Sequence, residues 1–398
     1  MPAQTSSGPQ GEIASPWLGA VLFLTAVFLL NFLSRVSLGP LLPHLEVALG
    51  LGHAQAGGLL LWLSLGYFVS LFASGLVSQR LGHHRTVWVS AVGVGVVLLV
   101  LPLAEGTLGL GLALLALGVA AGPYLPSGIA VVTDLADQQH WGRALAVHEM
   151  APNLSFVCGP LVAQGLADWG GWQSVPLVLG AASLLLGLTF ARWGRGGRFP
   201  GRAPDPANLL ALARRRETWL MMLLFGLGIG ASMGVYLMLP LFLVSERGFS
   251  TAEANLWLAA SRLVGVGAAL AAGWVADRLG PRGAMAGVLA GAGLLTVGLG
   301  LAHGSPLWLA LFLQPTVAVC FFPAGFAVLS RLVAASERSL IVSAVIPPAF
   351  VLGGGLIPAG IGWLGEELSF AWGLGLAGGL IALGSLLVAG LRLGEGGS

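Results

Sequence analysis

The sequence predicts an all-α membrane protein of twelve transmembrane helices, built as two parallel six-helix repeats. Three observations carry that expectation: the composition, the count of long apolar runs and an internal repeat. Of 398 residues, 56% are apolar and 9% are charged, against roughly 25% charged in an average globular chain. So few charges could not cover the surface of a water-soluble protein of this length, and the mean hydropathy is +0.90. Glycine numbers 62, about 16% of the chain against a usual ~7%, as expected of helices packed closely in lipid. A nucleic-acid partner is not expected. The two cysteines, Cys158 and Cys320, lie in apolar stretches and read as buried small residues, neither a disulfide nor a metal site. No cofactor or metal is expected.

A helix needs about 20 apolar residues to cross the hydrocarbon core. Twelve such runs are legible, at 17–39, 55–77, 86–104, 107–132, 144–167, 173–191, 218–243, 253–275, 283–302, 305–329, 340–364 and 369–391. They are continuous and not alternating, which excludes the strands of a β-barrel. The corresponding organisation is a tail (1–16), a six-helix bundle (17–191), a linker (192–217), a second six-helix bundle (218–392) and a short tail (393–398). No cleavable signal peptide is apparent in the first 16 residues.

There is no lysine, so arginine sets the orientation. With a cytoplasmic N-terminus, fifteen of the 18 arginines fall in inner loops, Arg247 alone falls outside, and Arg35 and Arg262 lie within spans. Both termini are therefore expected in the cytoplasm and the protein in the cytoplasmic membrane. Seven of those arginines sit in the linker, among Pro200, Pro204 and Pro206. Residues Asn208–Arg216 are open to two readings, a solvated linker or a short helix on the anionic leaflet.

The chain repeats itself across the linker. Residues Gly75–Gly82 match Gly273–Gly280 in five of eight positions at an offset of 198. Pro126, Gly128 and Val131 match Pro323, Gly325 and Val328 at 197, and Arg143, Pro152 and Gly159 match Arg338, Pro347 and Gly354 at 195. Each repeat holds an even number of spans, so both enter the membrane in the same direction. Parallel halves of this kind place a site between them at mid-depth, around which they can rock.

The segment Gly273, Trp274, Val275, Ala276, Asp277, Arg278, Leu279, Gly280, Pro281, Arg282 resembles the loop motif of the major facilitator superfamily. The span 2–3 copy keeps Gly75, Arg80, Gly82 and Arg85, but has Gln79 for the usual Asp and His83 and His84 at basic positions. The resemblance implies a cytoplasmic gating role for Asp277, Arg278 and Arg282, shared in part by Arg80 and Arg85. Plain inner-loop charge is the alternative. Gly159-Pro160 in span 5 resembles, weakly, an element of that superfamily's drug antiporters, and a helix kink or close packing explains it as well.

Ionisable groups within spans are costly and point to function. Three stand out: Arg35, Arg262 and Glu149, the last beside His148. At 1.5 Å per residue Arg35 lies ~12 Å and Arg262 ~15 Å from the outer ends of their spans, and Glu149 ~9 Å from the inner side. Aligned through the repeat, these three correspond to Ser232, Ser64 and Ala344, so the shared scaffold does not require the charges. Two arginines facing one carboxylate leave a positive charge that burial will not neutralise. An anionic substrate would supply the partner, with a carboxylate or oxyanion suited to the planar fork. Asn31 shares a face with Arg35, and Gln314, Tyr67 and Tyr236 are further candidates for substrate contact; they and Tyr124 and Asn153 could equally tie helices together. Glu149 and His148 are the candidates for proton coupling, against a purely local role for Glu149. Gly353, Gly354 and Gly355, near Pro347, Pro348 and Pro358, form a candidate hinge in span 11, with close packing the alternative.

The expected function is secondary active transport of a small anion by alternating access, as a proton-coupled symport, with the protein acting as a monomer. Efflux of bulky apolar compounds is the alternative within transport. An enzyme or sensor is disfavoured: there is no P-loop, no metal-ligand spacing and no soluble domain, and no loop is long enough for an ATPase.

Overall fold

The computed structural model describes residues 17–203, 205–334 and 337–391. The two tails, Pro204 and Arg392 lie outside the described residues, as does the side chain of Asp277. Helix is the regular structure of the described residues, and ten helices are long and apolar enough to cross a membrane. They run over Leu18–Leu49, His53–Leu81, His83–Leu103, Gly106–Leu135, Ser174–Trp193, Arg216–Arg247, Pro281–Leu301, Ser305–Arg331, Leu340–Glu367 and Phe370–Val388. Two further helical stretches complete the order expected from the sequence. Span 5 is a pair of helices, Trp141–His148 and Met150–Gly170, that meet at Glu149. Span 8 is Thr251–Leu279. A short helix, Pro206–Ala213, lies in the linker, capped by the Asp205 carboxylate, which accepts from Ala207 N at 2.9 Å.

Span 1 continues ten residues beyond its expected end, through Pro43 to Leu49. Proline cannot donate to the residue four back, but a membrane helix tolerates the loss when neighbours pack against it. Pro40 has no N–H for the Val36 carbonyl, and the helix is interrupted at Ser37 between Val36 and Leu38. Arg35 sits just before that interruption.

The repeat is visible in the packing at the same offset of 198. Gly82 and Gly280 each open the turn into the next span with φ of +77° and +72°, a left-handed conformation in which a Cβ would be strained. A Cβ on Gly95 would lie 2.8 Å from Gly180 O, joining spans 3 and 6, and one on Gly293 would lie 2.6 Å from Gly378 O, joining spans 9 and 12. Small residues let these backbones touch, as in helix pairs packed within lipid.

At the end opposite the linker the two halves are closed on each other. A Cβ on Gly39 would lie 2.7 Å from Leu237 Cα, so spans 1 and 7 meet backbone to backbone. Asn255 Nδ2 donates to Gln164 Oε1 at 2.9 Å and to Pro40 O at 3.3 Å, tying span 8 to spans 5 and 1. Glu366 of span 11 accepts from Ala54 N, at the start of span 2, at 2.8 Å.

Candidate functional site

The two buried arginines lie on either side of the seam between the halves. Arg35 is 2% exposed and Arg262 is 7% exposed. Each guanidinium is roofed by aromatic rings. Arg35 lies over Phe32 at 4.8 Å and Tyr67 at 4.3 Å, and Arg262 over Phe156 at 4.8 Å and Tyr236 at 4.7 Å. Phe32 and Phe156 meet edge to face at 5.4 Å, and Phe156 meets Tyr236 at 4.9 Å. A continuous aromatic chain therefore joins the two cations across spans 1, 5 and 7. Ring faces attract a guanidinium but satisfy none of its N–H groups, which point outward in its plane.

Few protein acceptors meet those donors. Arg35 Nε donates to Asn31 O at 3.4 Å, and Arg262 Nη2 donates to Ser232 O at 2.8 Å. Arg262 Nε is buried with no hydrogen-bond partner among the described residues. Among the described residues no carboxylate pairs with either arginine. The Ser232 carbonyl is available because span 7 widens into a π-helical turn over Gly230–Gly234. A second π-helical turn, Val351–Leu356 in span 11, packs against it. Gly353, Gly354 and Gly355 lie in this second turn. A Cβ on Gly353 would meet Gly230 N at 2.6 Å, and one on Gly355 would meet Ser64 Cβ at 2.9 Å. The glycine run thus provides close approach between spans 11, 7 and 2 in this state.

The other sequence candidates separate. Tyr67 and Tyr236 come to the arginines, as above. Gly159 leaves room for the second of them: a Cβ there would stand 3.2 Å from the Tyr236 hydroxyl. Asn31 donates to Ala121 O at 3.1 Å and Ser90 Oγ at 3.5 Å, joining span 1 to spans 4 and 3. Gln314 donates to Ala231 O at 2.8 Å and Thr296 Oγ1 at 3.1 Å, joining span 10 to spans 7 and 9. Both amides thus tie helices together.

Glu149 differs from the expectation of a partly buried carboxylate facing the arginines. It stands at the break in span 5, about half exposed, and is 3.5 Å from His148 Nδ1. The buried group is His148, at 0% exposure. Its ring stacks on Phe28 at 4.6 Å, and its Nε2 lies 3.1 Å from the Tyr124 hydroxyl. That hydroxyl has one proton and donates it to Leu24 O at 2.8 Å. Tyr124 must therefore accept from His148, which places a proton on Nε2. Nδ1 is then bare in the neutral ring, and it has no hydrogen-bond partner among the described residues, the Glu149 carboxylate standing 3.5 Å away. A proton arriving on Nδ1 would face the Glu149 carboxylate.

The gating-motif residues are spread over the linker end. Arg282 Nη2 donates to Val388 O at 3.3 Å and Ala389 O at 3.2 Å, closing the end of span 12. Gly75 lies in span 2, with its carbonyl accepting from Ser78 Oγ at 3.2 Å. Gly273 and Arg278 lie in span 8. Arg80 and Arg85 form no ion pair among the described residues.

The sequence reading missed Phe32, Phe156 and Ser232 as parts of the site. Phe32 could have been found, since it lies three residues before Arg35 on the same helical face. Phe156 and Ser232 come from other spans and left no such signal.

Two six-helix halves that meet over buried, unneutralised charge define a polytopic solute transporter. The chain belongs to the Major Facilitator Superfamily, whose profile matches residues 24–320. It is 30% identical over 194 residues to the protein named Probable nitrate/nitrite transporter NarK2 of Mycobacterium tuberculosis, covering 48% of each chain. This chain therefore spans about half the length of that relative. The Nitrite extrusion protein of Bacillus subtilis is 27% identical over 306 residues, 75% of this chain and 72% of its own. A Quinolone resistance transporter of Acinetobacter baumannii is 24% identical over 178 residues, 43% and 41% of the two chains. Among solved structures, a bacterial homolog of the human lysosomal transporter Spinster, inward-facing and occupied, superposes with a TM-score of 0.79 at 16% identity, covering 94% of this chain and 97% of that one. At that identity the likeness shows the fold alone.

Proposed function

We propose that this transporter carries a small anion, nitrate or nitrite in the first instance, across the cytoplasmic membrane. The observation that carries the reading is the pair Arg35 and Arg262. Both are buried and roofed by rings, and neither has a carboxylate partner among the described residues. An arginine stays charged at physiological pH, and a buried charge without a counterion costs on the order of several kcal/mol. A flat oxyanion resolves the imbalance, because it can accept edge-on from the N–H groups of a guanidinium whose face is already covered by aromatic rings. The names of two relatives point the same way.

Coupling to protons is assigned to His148, with Glu149 as the carboxylate that pairs with its charged form. Nδ1, without a hydrogen bond among the described residues and 3.5 Å from the Glu149 carboxylate, supports this. The arginine bias supports a cytoplasmic location for both termini and the linker, and the presence of both arginines in one chain supports function as a monomer. Efflux of apolar compounds is the second reading, favoured by the rings of Phe32, Tyr67, Phe156 and Tyr236.

The test is a thermal-shift screen of the purified protein against nitrate, nitrite, small carboxylates and apolar organic cations. Stabilisation by the oxyanions alone supports the proposal. Stabilisation by the apolar cations, with none from any anion, overturns it in favour of efflux.

A further inference from the structure

Away from the transport path, the span 2–3 turn and the start of the linker enclose a cavity of about 520 Å³. Backbone hydrogen bonds fix its walls. His84 N donates to Gly197 O at 2.8 Å, His83 N to Phe199 O at 3.2 Å and Gly201 N to Ser78 O at 3.0 Å, so the linker is strapped across the turn. Three arginines line the cavity: Arg80 and Arg85 from the turn and Arg198 from the linker. No carboxylate is among the lining residues. Asp134 accepts from Gly197 N at 2.8 Å from outside the lining. Gln79 lines the cavity where the second repeat has Asp277, so the first repeat lacks the acid that would offset this charge. None of the three arginines forms an ion pair among the described residues.

Like charges gathered at one cavity repel, and a multivalent acceptor between them reverses the sign of the interaction. Guanidinium forks match phosphate oxygens in geometry. The surroundings distinguish a lipid from a free ion. The cavity sits at the ends of spans 2, 3 and 6, where apolar helix gives way to the linker, with Trp88, a residue type enriched at membrane interfaces, in its wall. Leu81 and Phe199, also in the lining, are 38% and 40% exposed and offer apolar surface to an acyl chain. We propose that this cavity binds the phosphate of an acidic phospholipid from the linker-side leaflet. The bound headgroup bridges the span 2–3 turn to the linker.

The experiment is native mass spectrometry of the full chain taken from phosphatidylcholine liposomes doped with phosphatidylglycerol. Wild type is compared with a triple variant, Arg80→Gln, Arg85→Gln and Arg198→Gln. A control double variant, Arg143→Gln and Arg192→Gln, changes arginines that do not line the cavity. Wild type and control should retain phosphatidylglycerol over phosphatidylcholine, and the triple variant should lose that preference by roughly tenfold or more. Melting in phosphatidylcholine alone checks that the variants fold. If the triple variant does not fold, Arg198→Gln alone, on the linker, takes its place. Equal loss in the control would reduce the effect to general leaflet charge and overturn the proposal. Displacement of the lipid by inorganic phosphate at millimolar levels would also overturn it, marking a soluble-anion site. Absence of any phosphatidylglycerol preference in wild type would do the same.

Discussion

Replacing Arg262 with glutamine removes the charge at the seam while keeping an N–H donor. In the wild type Nη2 donates to Ser232 O at 2.8 Å, Nε is buried and unbonded among the described residues, and the guanidinium lies over the rings of Phe156 and Tyr236. The donors left over are those an anion would use. A hydrogen bond to a charged group contributes about 1.5–3 kcal/mol, so losing one weakens substrate binding by about tenfold to a hundredfold, and losing a two-point contact by more. The effect on the empty protein should run the other way. Removing a buried charge that lacks a counterion relieves its desolvation cost, so the melting temperature without substrate should hold or rise. Arg262→Lys keeps the charge but loses the planar fork and the ring stacking, and should recover little transport. Arg35→Gln should behave alike, its guanidinium meeting Asn31 O at 3.4 Å and the side chains of Phe32 and Tyr67 but no carboxylate among the described residues. The assay is counterflow of nitrate and nitrite in proteoliposomes, with melting curves in the presence and absence of each anion. Near-normal counterflow by both glutamine variants, with the anion-induced melting shift intact, would refute the reasoning.

Three further outcomes are expected. His148→Gln should abolish proton-driven accumulation while exchange survives, and Glu149→Gln, at the half-exposed partner, should impair it less; wild-type accumulation by both variants would remove the coupling assignment. Reporter fusions after Arg202 and after His303 should report opposite compartments, and the same compartment for both would sink the twelve-span topology. Gly39→Val should hold spans 1 and 7 apart, since a Cβ there would lie 2.7 Å from Leu237 Cα. Overpacking of this kind costs about 1–3 kcal/mol, which shifts the closed-to-open ratio by roughly fivefold to somewhat over a hundredfold. A cysteine placed at Gln164 in that variant should label faster than in wild type, and an unchanged rate would contradict the closed seam.

Much of the architecture follows from the sequence by itself. Apolar run length is a local property, and lipid leaves a long apolar run few choices other than a helix, so the spans could be counted directly. The repeat was legible in the Gly75–Gly82 and Gly273–Gly280 blocks, whose last glycines open equivalent turns at φ of +77° and +72°; the paired contacts of Gly95 with Gly180 and of Gly293 with Gly378 emerged only in the structure. Arg35 and Arg262 stood out because a charge in a span is rare enough to be noticed without a partner. Tertiary structure decided what surrounds them. Phe156, Tyr236 and Ser232 reach Arg262 from spans 5 and 7, and no spacing along the chain encodes that meeting. The same holds for His148 and Glu149. They are neighbours in sequence, but one is buried against Phe28 and Tyr124 and the other is half exposed, because the helix breaks between them and turns their side chains to different surroundings. Burial is fixed by which helix faces meet, and that depends on the packing of all the spans together rather than on any one of them.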